Sequence, residues 1–103
     1  MSYAYVWEYR IDPRHRGEFE AAYGPEGPWV QLFRRAPGYV TTRLLHDREQ
    51  ADRYLTVDLW QSYAAFTRFR RDFADEFERL DGKCEAFTRS ETALGTFESI
   101  QAP

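Results

Sequence analysis

The sequence predicts an α+β fold in which a four-stranded antiparallel sheet carries its helices on one face. Two observations lead to this prediction: the elements follow the order β-α(α)-β-β-α(α)-β, and the second half contains one long amphipathic helical pattern. Short connections and right-handed crossovers make a split βαβ, or ferredoxin-like, sheet the simplest arrangement of these elements. The 103 residues are predicted to form a single domain, residues 1–103.

The first part of the chain is predicted to contain one strand and two short helices. Tyr3 to Ile11 is rich in aromatic and β-branched residues, as strands are, and Asp12-Pro13 ends it. Because Asp is a good N-cap and Pro suits the first helical position, a helix is expected to begin here. Gly24 is predicted to end this helix in the left-handed conformation. A second short helix is predicted from Trp29 to Ala36.

A hairpin and a last strand are predicted in the remainder of the chain. The hairpin strands are Tyr39 to Asp47 and Tyr54 to Gln61, joined by a polar loop. Thr92 to Ser99 is predicted to be the last strand, followed by a tail from Ile100 to Pro103.

A long helix is predicted between the hairpin and the last strand. Its apolar stripe has helical spacing throughout and comprises Phe66, Phe69, Phe73, Phe77, Leu80, Cys84 and Phe87. From an N-cap at Ser62 to Thr88 it would span about 40 Å, whereas an eight-residue strand covers about 27 Å. The helix is therefore expected either to break or to overhang the sheet, and Gly82 is its weakest position.

Two strands carry large apolar side chains on both of their faces. The first strand alternates Tyr5, Trp7 and Tyr9 with Val6, and the third alternates Leu55, Val57 and Leu59 with Tyr54 and Trp60. One helical layer covers only one face of a sheet, and the other would expose a larger apolar patch than soluble monomers usually tolerate. The sequence therefore predicts a homodimer that packs through its sheet faces.

Composition and motifs narrow the class of protein. The net charge of −3 argues against nucleic-acid binding. No apolar run reaches membrane-spanning length and the first ten residues do not resemble a signal peptide, so we expect no membrane partner and a cytoplasmic location. Metal ligands at recognisable spacing and a glycine-rich phosphate loop are both lacking. We therefore expect neither a metal nor a cofactor.

The candidate site combines aromatic walls with one carboxylate. Thr56, Asp58 and Trp60 point the same way along the third strand, as Trp7 and Tyr9 do along the first. If these rows share a face, Asp58 is desolvated, its pKa rises, and it can serve as a general base towards a phenol or enol. The alternatives are that Asp58 has only a structural hydrogen bond and that the rings only fill the core.

A second wall and a second titratable group complete the candidate set. Phe66 from the long helix, with Trp29 and Phe33 from the short one, can close a pocket for a small hydrophobic or aromatic ligand. His46, near the end of the second strand, is a candidate proton shuttle because of its mid-range pKa. Its alternative is an exposed histidine without a role.

Four segments together resemble the antibiotic biosynthesis monooxygenase superfamily. They are the strand end Arg10-Ile11-Asp12-Pro13, the helical Phe19, the turn Ala36-Pro37-Gly38-Tyr39, and the run Tyr54-Leu55-Thr56-Val57-Asp58-Leu59-Trp60. The resemblance covers about Tyr3 to Phe97. It implies a dimeric α+β barrel of ferredoxin-like protomers, with a hydrophobic pocket next to Trp60.

The resemblance also implies an activity. It implies a cofactor-independent monooxygenase acting on phenolic or polycyclic aromatic molecules. Two alternatives stay open: a dimer that binds a metabolite without catalysis, and an isomerase or cyclase using the same pocket. The quinone-forming members place Asn and Tyr where Thr56 and Phe66 stand here. The haem-degrading members place Asn at the position of Tyr9 and a His after the Trp, and no His follows His46 in this chain.

Overall fold

The computed structural model describes residues 2–100 and contains a four-stranded antiparallel sheet with helices packed on one face. The strands, in the spatial order β2-β3-β1-β4, are Ser2–Ile11 (β1), Tyr39–His46 (β2), Arg53–Trp60 (β3) and Thr88–Ser99 (β4). The helices are Arg16–Tyr23 (α1), Pro28–Arg34 (α2), Tyr63–Asp72 (α3) and Ala74–Cys84 (α4), with 3₁₀ turns at Pro13–His15 and Glu85–Phe87. This order confirms the predicted ferredoxin-like fold. Of the predicted tail, residues 101–103 lie outside the described part of the chain.

The register of β1 and β3 places the two aromatic rows on the helical face. Tyr5 lies opposite Asp58, and Trp7 lies opposite Thr56. Since side chains two residues apart share a face, both rows point towards the helices. The most deeply buried large side chains lie in this layer: Trp60, Tyr54, Phe19, Phe69 and Ile11.

Two N-caps begin the helical segments where the sequence predicted them. The Asp12 carboxylate accepts a hydrogen bond from the backbone N–H of Arg14 at 3.0 Å, and Pro13 opens the 3₁₀ turn that leads into α1. The Ser62 hydroxyl accepts one from the backbone N–H of Ala65 at 3.0 Å. These bonds satisfy N–H groups that have no partner inside their helix.

Two details of the predicted elements were wrong, and the long helix takes the first of its two alternatives, a break. Gly24 has φ −79° and ψ 178°, so it ends α1 in an extended rather than a left-handed conformation. The long helical pattern breaks at Phe73, where φ is −116° and ψ is 26°, whereas Gly82 lies inside α4. The last strand begins at Thr88 rather than Thr92, because the chain leaves the helical layer through a 3₁₀ turn directly after Cys84.

The face of the sheet opposite the helices is partly apolar. Val6 and Val57 pair at its centre and are only partly buried, while Leu45 and Phe97 are 45% and 54% exposed. Charged groups gather at one end of this face, where Arg53 donates a hydrogen bond to Glu8 at 2.6 Å. We call this surface the outer face.

Gly38 is required by its backbone conformation and by its neighbour. Its φ is +94°, and a Cβ added there would lie 2.5 Å from the Cβ of Ala65. We expect Gly38→Ala to lower the free energy of unfolding by about 2–4 kcal/mol, from backbone strain and overpacking together. Urea denaturation followed by circular dichroism measures this change.

A second glycine provides the matched control. Gly82 is helical, and an added Cβ would meet nothing within 4 Å. Gly82→Ala is therefore expected to raise the free energy of unfolding by about 0.5–1 kcal/mol. Equal effects of the two substitutions would contradict the packing described for Gly38.

Candidate functional site

A cavity of about 230 Å³ lies between the sheet and the helices. Its walls are mostly aromatic, with contributions from Tyr5, Trp7, Tyr9, Tyr23, Trp29, Phe33, Trp60, Phe66, Phe69 and Phe77. The polar members of the lining are Thr42, Thr56, Asp58, Arg70, Asp81 and Glu91. The volume lies just below the roughly 300–1,000 Å³ of pockets for drug-sized ligands, so it suits a smaller molecule.

Eight of the nine residues proposed from the sequence meet at this cavity. Asp58 lies in its wall together with Tyr9, Trp7, Thr56, Trp60, Phe66, Trp29 and Phe33. The structure brings them together because the paired strands β1 and β3 present their rows side by side. The ninth residue, His46, does not line the cavity.

Asp58 sits at the end of a short chain of hydroxyl groups. The Tyr39 hydroxyl donates to Thr42 Oγ1 at 2.8 Å, and Thr42 donates to Asp58 Oδ1 at 2.8 Å. Burial raises the pKa of Asp58 to about 6, against the lowering effect of the Thr42 hydrogen bond. The carboxyl therefore titrates close to neutrality, as a general base needs.

Removal of the Thr42 hydroxyl tests this chain. We expect Thr42→Val to raise the pKa of Asp58 by about one to two pH units, because a hydrogen bond to a charged group contributes about 1.5–3 kcal/mol. The titration of the Asp58 carboxyl carbon, followed by NMR, measures it. Thr41→Val, at the exposed neighbouring position of β2, is the control. A midpoint unchanged by Thr42→Val would show that this hydroxyl does not stabilise the ionised carboxylate.

Three polar atoms of the cavity residues are buried without a hydrogen-bond partner among residues 2–100. They are Thr56 Oγ1, Trp60 Nε1 and Trp29 Nε1. The Thr56 hydroxyl lies near the phenol of Tyr9 but does not form a hydrogen bond of normal geometry with it. Each unpartnered buried group costs about 1–3 kcal/mol of folding free energy.

His46 lies in a different polar cluster at the end of the hairpin. Its ring stacks on Tyr54 with a centroid distance of 4.2 Å, and its Nε2 lies 2.9 Å from the backbone oxygen of Ala51. The Tyr54 hydroxyl accepts from Arg16 and donates to Glu20. His46 pairs with Tyr54 towards the edge of the sheet, so it lies outside the cavity lining, and a role as proton shuttle stays a prediction.

The cavity lining also contains residues that were not among the proposed site residues. Thr42 enters from β2, Tyr23 from α1, and Arg70, Asp81 and Glu91 lie at the exposed rim. The Arg70 guanidinium lies 4.0 Å from the centre of the Phe77 ring. The sequence could have indicated Thr42, because it alternates with Thr41 and Arg43 on a predicted strand and therefore lies on the opposite face from them. Glu91 was not, because it fell before the predicted start of the last strand.

Two further features of the structure bear on the class of protein. Within residues 2–100, no helix combines the length and apolar character needed to span a membrane. In the same part of the chain, no three His, Cys, Asp or Glu side chains are grouped closely enough to hold a metal ion.

Comparison with known proteins identifies the family. The model of the antibiotic biosynthesis monooxygenase family matches residues 2–77, about three quarters of the chain. This protein belongs to the antibiotic biosynthesis monooxygenase family. The match confirms the resemblance drawn from the sequence. It covers β1, β2 and β3, and β3 carries both Asp58 and Trp60. No protein in a curated collection matches the chain.

Solved structures of the family share the fold. The cofactor-independent oxygenase SnoaB from Streptomyces nogalater, as a mutant, has a TM-score of 0.80 and 22% identity, covering 98% of this chain and 95% of that one. A protein described as a putative antibiotic biosynthesis monooxygenase from Bordetella bronchiseptica has a TM-score of 0.74 and 17% identity, with coverages of 97% and 98%. A protein with the same description from Caulobacter crescentus has a TM-score of 0.74 and 14% identity, and the match covers 97% of this chain and 91% of that one. At such identities the likeness establishes the fold alone.

Proposed function

We propose that this protein is a homodimeric, cofactor-independent oxygenase that acts on small phenolic aromatic molecules of two or three fused rings. The observation that carries the proposal is Asp58, a carboxyl with a pKa near 6 at the wall of a cavity otherwise built from aromatic rings. The fold shared with SnoaB, itself described as a cofactor-independent oxygenase, supports the same reaction class.

Asp58 begins the proposed reaction by removing a proton from the substrate. A phenol, or the enol form of an anthrone, becomes an anion that is stabilised by delocalisation over its rings. Cavity walls such as Trp60 and Tyr9 hold the ring system flat and exclude water. The Thr42 hydroxyl keeps Asp58 Oδ1 oriented during this transfer.

The substrate anion itself supplies the electrons for oxygen. Dioxygen adds to the ring carbon to form a peroxide, and the O–O bond then breaks as that carbon loses its second hydrogen. The overall change is CH₂ + O₂ → C=O + H₂O, in which the substrate is oxidised by four electrons and dioxygen is reduced. Asp58 returns the first proton to the peroxide, and breaking the O–O bond then expels hydroxide. The second proton, lost from the carbon, converts this hydroxide to water, so the enzyme ends in its starting form.

Dimerisation through the outer face is part of this proposal. Val6, Val57, Leu45 and Phe97 form an apolar surface that a second copy of the chain can cover. Obligate homodimer interfaces are more apolar than transient ones, and burial of apolar surface is a main source of their stability. The helical face stays free for the ligand.

A binding-only dimer is the second candidate function. Thr56 and Phe66 stand where the quinone-forming relatives place Asn and Tyr, so this cavity has fewer polar groups for catalysis. An isomerase or cyclase using Asp58 without oxygen is a third, because a base near neutrality serves proton transfer equally well.

Oxygen consumption with a panel of anthrones and quinols tests the proposal. We expect uptake with at least one anthrone and none with the matching anthraquinone, which is already oxidised. Binding of anthrones without oxygen uptake would favour the binding-only dimer. Conversion of the substrate without oxygen uptake would favour the isomerase or cyclase.

A further inference from the structure

The carboxylate of Asp58 has a single hydrogen-bonded connection to other side chains. Among residues 2–100, the Thr42 hydroxyl is its one hydrogen-bond donor, and Asp58 forms no ion pair there. The rest of the carboxylate faces the cavity. Because a ligand that fills the cavity excludes water from that side, the hydroxyl chain through Thr42 and Tyr39 is then the connection that remains.

An irregularity in β2 brings the two hydroxyl groups of this chain to the same face of the sheet. Residues three apart on a regular strand point to opposite faces, yet the Tyr39 hydroxyl lies 2.8 Å from Thr42 Oγ1. The pairing with β3 gives the reason, since Tyr39 lies opposite Trp60 and Thr41 lies opposite Leu59. One extra residue of β2 therefore lies between these pairs, as in a β-bulge, and bulges commonly reorient a side chain next to a functional site.

The chain of hydroxyl groups leads from the cavity to the edge of the sheet. Asp58 lies on β3, whereas Thr42 and Tyr39 lie on β2, which is an edge strand in the order β2-β3-β1-β4. Tyr39 is only partly buried and does not line the cavity. Burial is the largest influence on the pKa of Tyr39 and raises it. The phenol therefore stays protonated near pH 7, so it can pass a proton on without holding a charge.

We propose that Thr42 and Tyr39 form a proton relay, through which Asp58 exchanges its proton with solvent while a ligand fills the cavity. Each hydroxyl both donates and accepts and is free to rotate, so the chain has two orientations. In one orientation, Tyr39 donates to Thr42 and Thr42 donates to the ionised Asp58. The other orientation serves the protonated carboxyl.

The outward transfer moves one proton in three linked steps. The protonated carboxyl of Asp58 gives its proton to Thr42 Oγ1, Thr42 gives its own to the Tyr39 oxygen, and Tyr39 gives its own to water. Each hydroxyl ends with one proton, and Asp58 ends as a carboxylate. Inward transfer is the exact reverse.

This inference rests on the proposed function, because it concerns a ligand that Asp58 deprotonates. Asp58 has a pKa of about 6, so part of the protein binds its ligand with this carboxyl protonated. The relay allows the base to ionise after the cavity has closed. Tyr39 acts only through Thr42 and Asp58, since it has no contact with the cavity.

Deuterium exchange into a bound anthrone, measured in D₂O without oxygen, tests the relay. Asp58 removes a proton from the CH₂ carbon, and the relay replaces that proton by deuterium before it returns. Tyr39→Phe should lower the deuterium incorporated at least about tenfold, since a positioned side chain contributes about 10²–10⁴-fold to proton transfer. The rate at which the anion appears should change little, because the variant keeps the hydrogen bond from Thr42 to Asp58.

Mass spectrometry of the recovered anthrone measures the deuterium incorporated above the rate without protein, and absorbance measures the anion. Thr42→Val removes the middle hydroxyl and should lower incorporation per ionisation, whereas Thr42→Ser keeps a hydroxyl and should retain it. Tyr63→Phe is the matched control, since Tyr63 is 62% exposed on α3 and does not line the cavity. It should exchange at the wild-type rate.

The outcomes separate the relay from the proposed function. Equal incorporation by the wild type and Tyr39→Phe, with the anthrone ionised by both, overturns the relay alone. A loss in Thr42→Ser as large as in Thr42→Val also overturns it, because packing rather than the hydroxyl would then set the rate. Anthrones that never ionise on the wild type overturn the proposed function together with the relay.

Discussion

Replacement of Asp58 by Asn is expected to lower the rate of oxygen consumption by about 100- to 10,000-fold. Asn has nearly the same shape and can still accept the Thr42 hydrogen bond, but it cannot take a proton from the substrate. Ligand affinity should therefore change little while kcat falls. In the wild type, activity should also fall below about pH 6, where Asp58 becomes protonated.

Steady-state kinetics under air measures this effect. Asp75→Asn is the control, because Asp75 is an exposed residue of α4 that does not line the cavity. An Asp58→Asn variant with the kcat of the wild type would remove Asp58 from the reaction, while leaving the cavity as a binding site.

Val57→Lys is expected to convert the proposed dimer into a monomer. Val57 lies in the middle of β3 on the outer face, between Val6 on β1 and Arg43 on β2. A lysine there would have to lose its hydration inside an apolar interface, and an unpaired buried charge costs several kcal/mol. Sedimentation velocity at micromolar concentration distinguishes the two states.

Thr67→Lys provides the control for this substitution. Thr67 is exposed on α3, away from the outer face, so its variant should remain dimeric. A wild-type protein that sediments as a monomer would contradict the proposed role of the outer face, whatever the variants do.

The main features of the site follow from short-range patterns in the sequence. Alternation along two strands is enough to place Asp58 and Trp60 on one side and Val57 on the other, because strand periodicity is local. The element order then fixes β1 next to β3, which brings Tyr9 and Trp7 to the same wall. These steps need no knowledge of side-chain packing.

The helix break shows where local patterns fail. Gly82 has the weaker helical propensity, but its surroundings are open and α4 passes through it. The break occurs at Phe73, since α3 packs on β1 and β3 whereas α4 packs on α2. The residue type at Phe73 does not by itself predict a break, because the cause lies in contacts with other elements.

The cavity residues that the sequence did not reveal, Thr42 and Glu91, reach the cavity only because of the pairing register of their strands. Thr42 meets Asp58 because β2 pairs with β3 after an irregularity between Tyr39 and Thr41. Glu91 reaches the cavity because β4 begins four residues before the predicted start and so pairs with Tyr9. Register is set by contacts between strands distant in the chain, so a local pattern does not contain it.

The most direct test of the account is to observe the substrate anion in the cavity without oxygen. An anthrone whose absorption changes on ionisation is bound anaerobically to the wild type and to Asp58→Asn, and the pH is varied. We expect the anthrone anion to form on the wild type at a pH well below the pKa of the anthrone in free solution, and the variant to lack this effect. A bound anthrone that stays neutral on the wild type, or that ionises equally on both proteins, would contradict it.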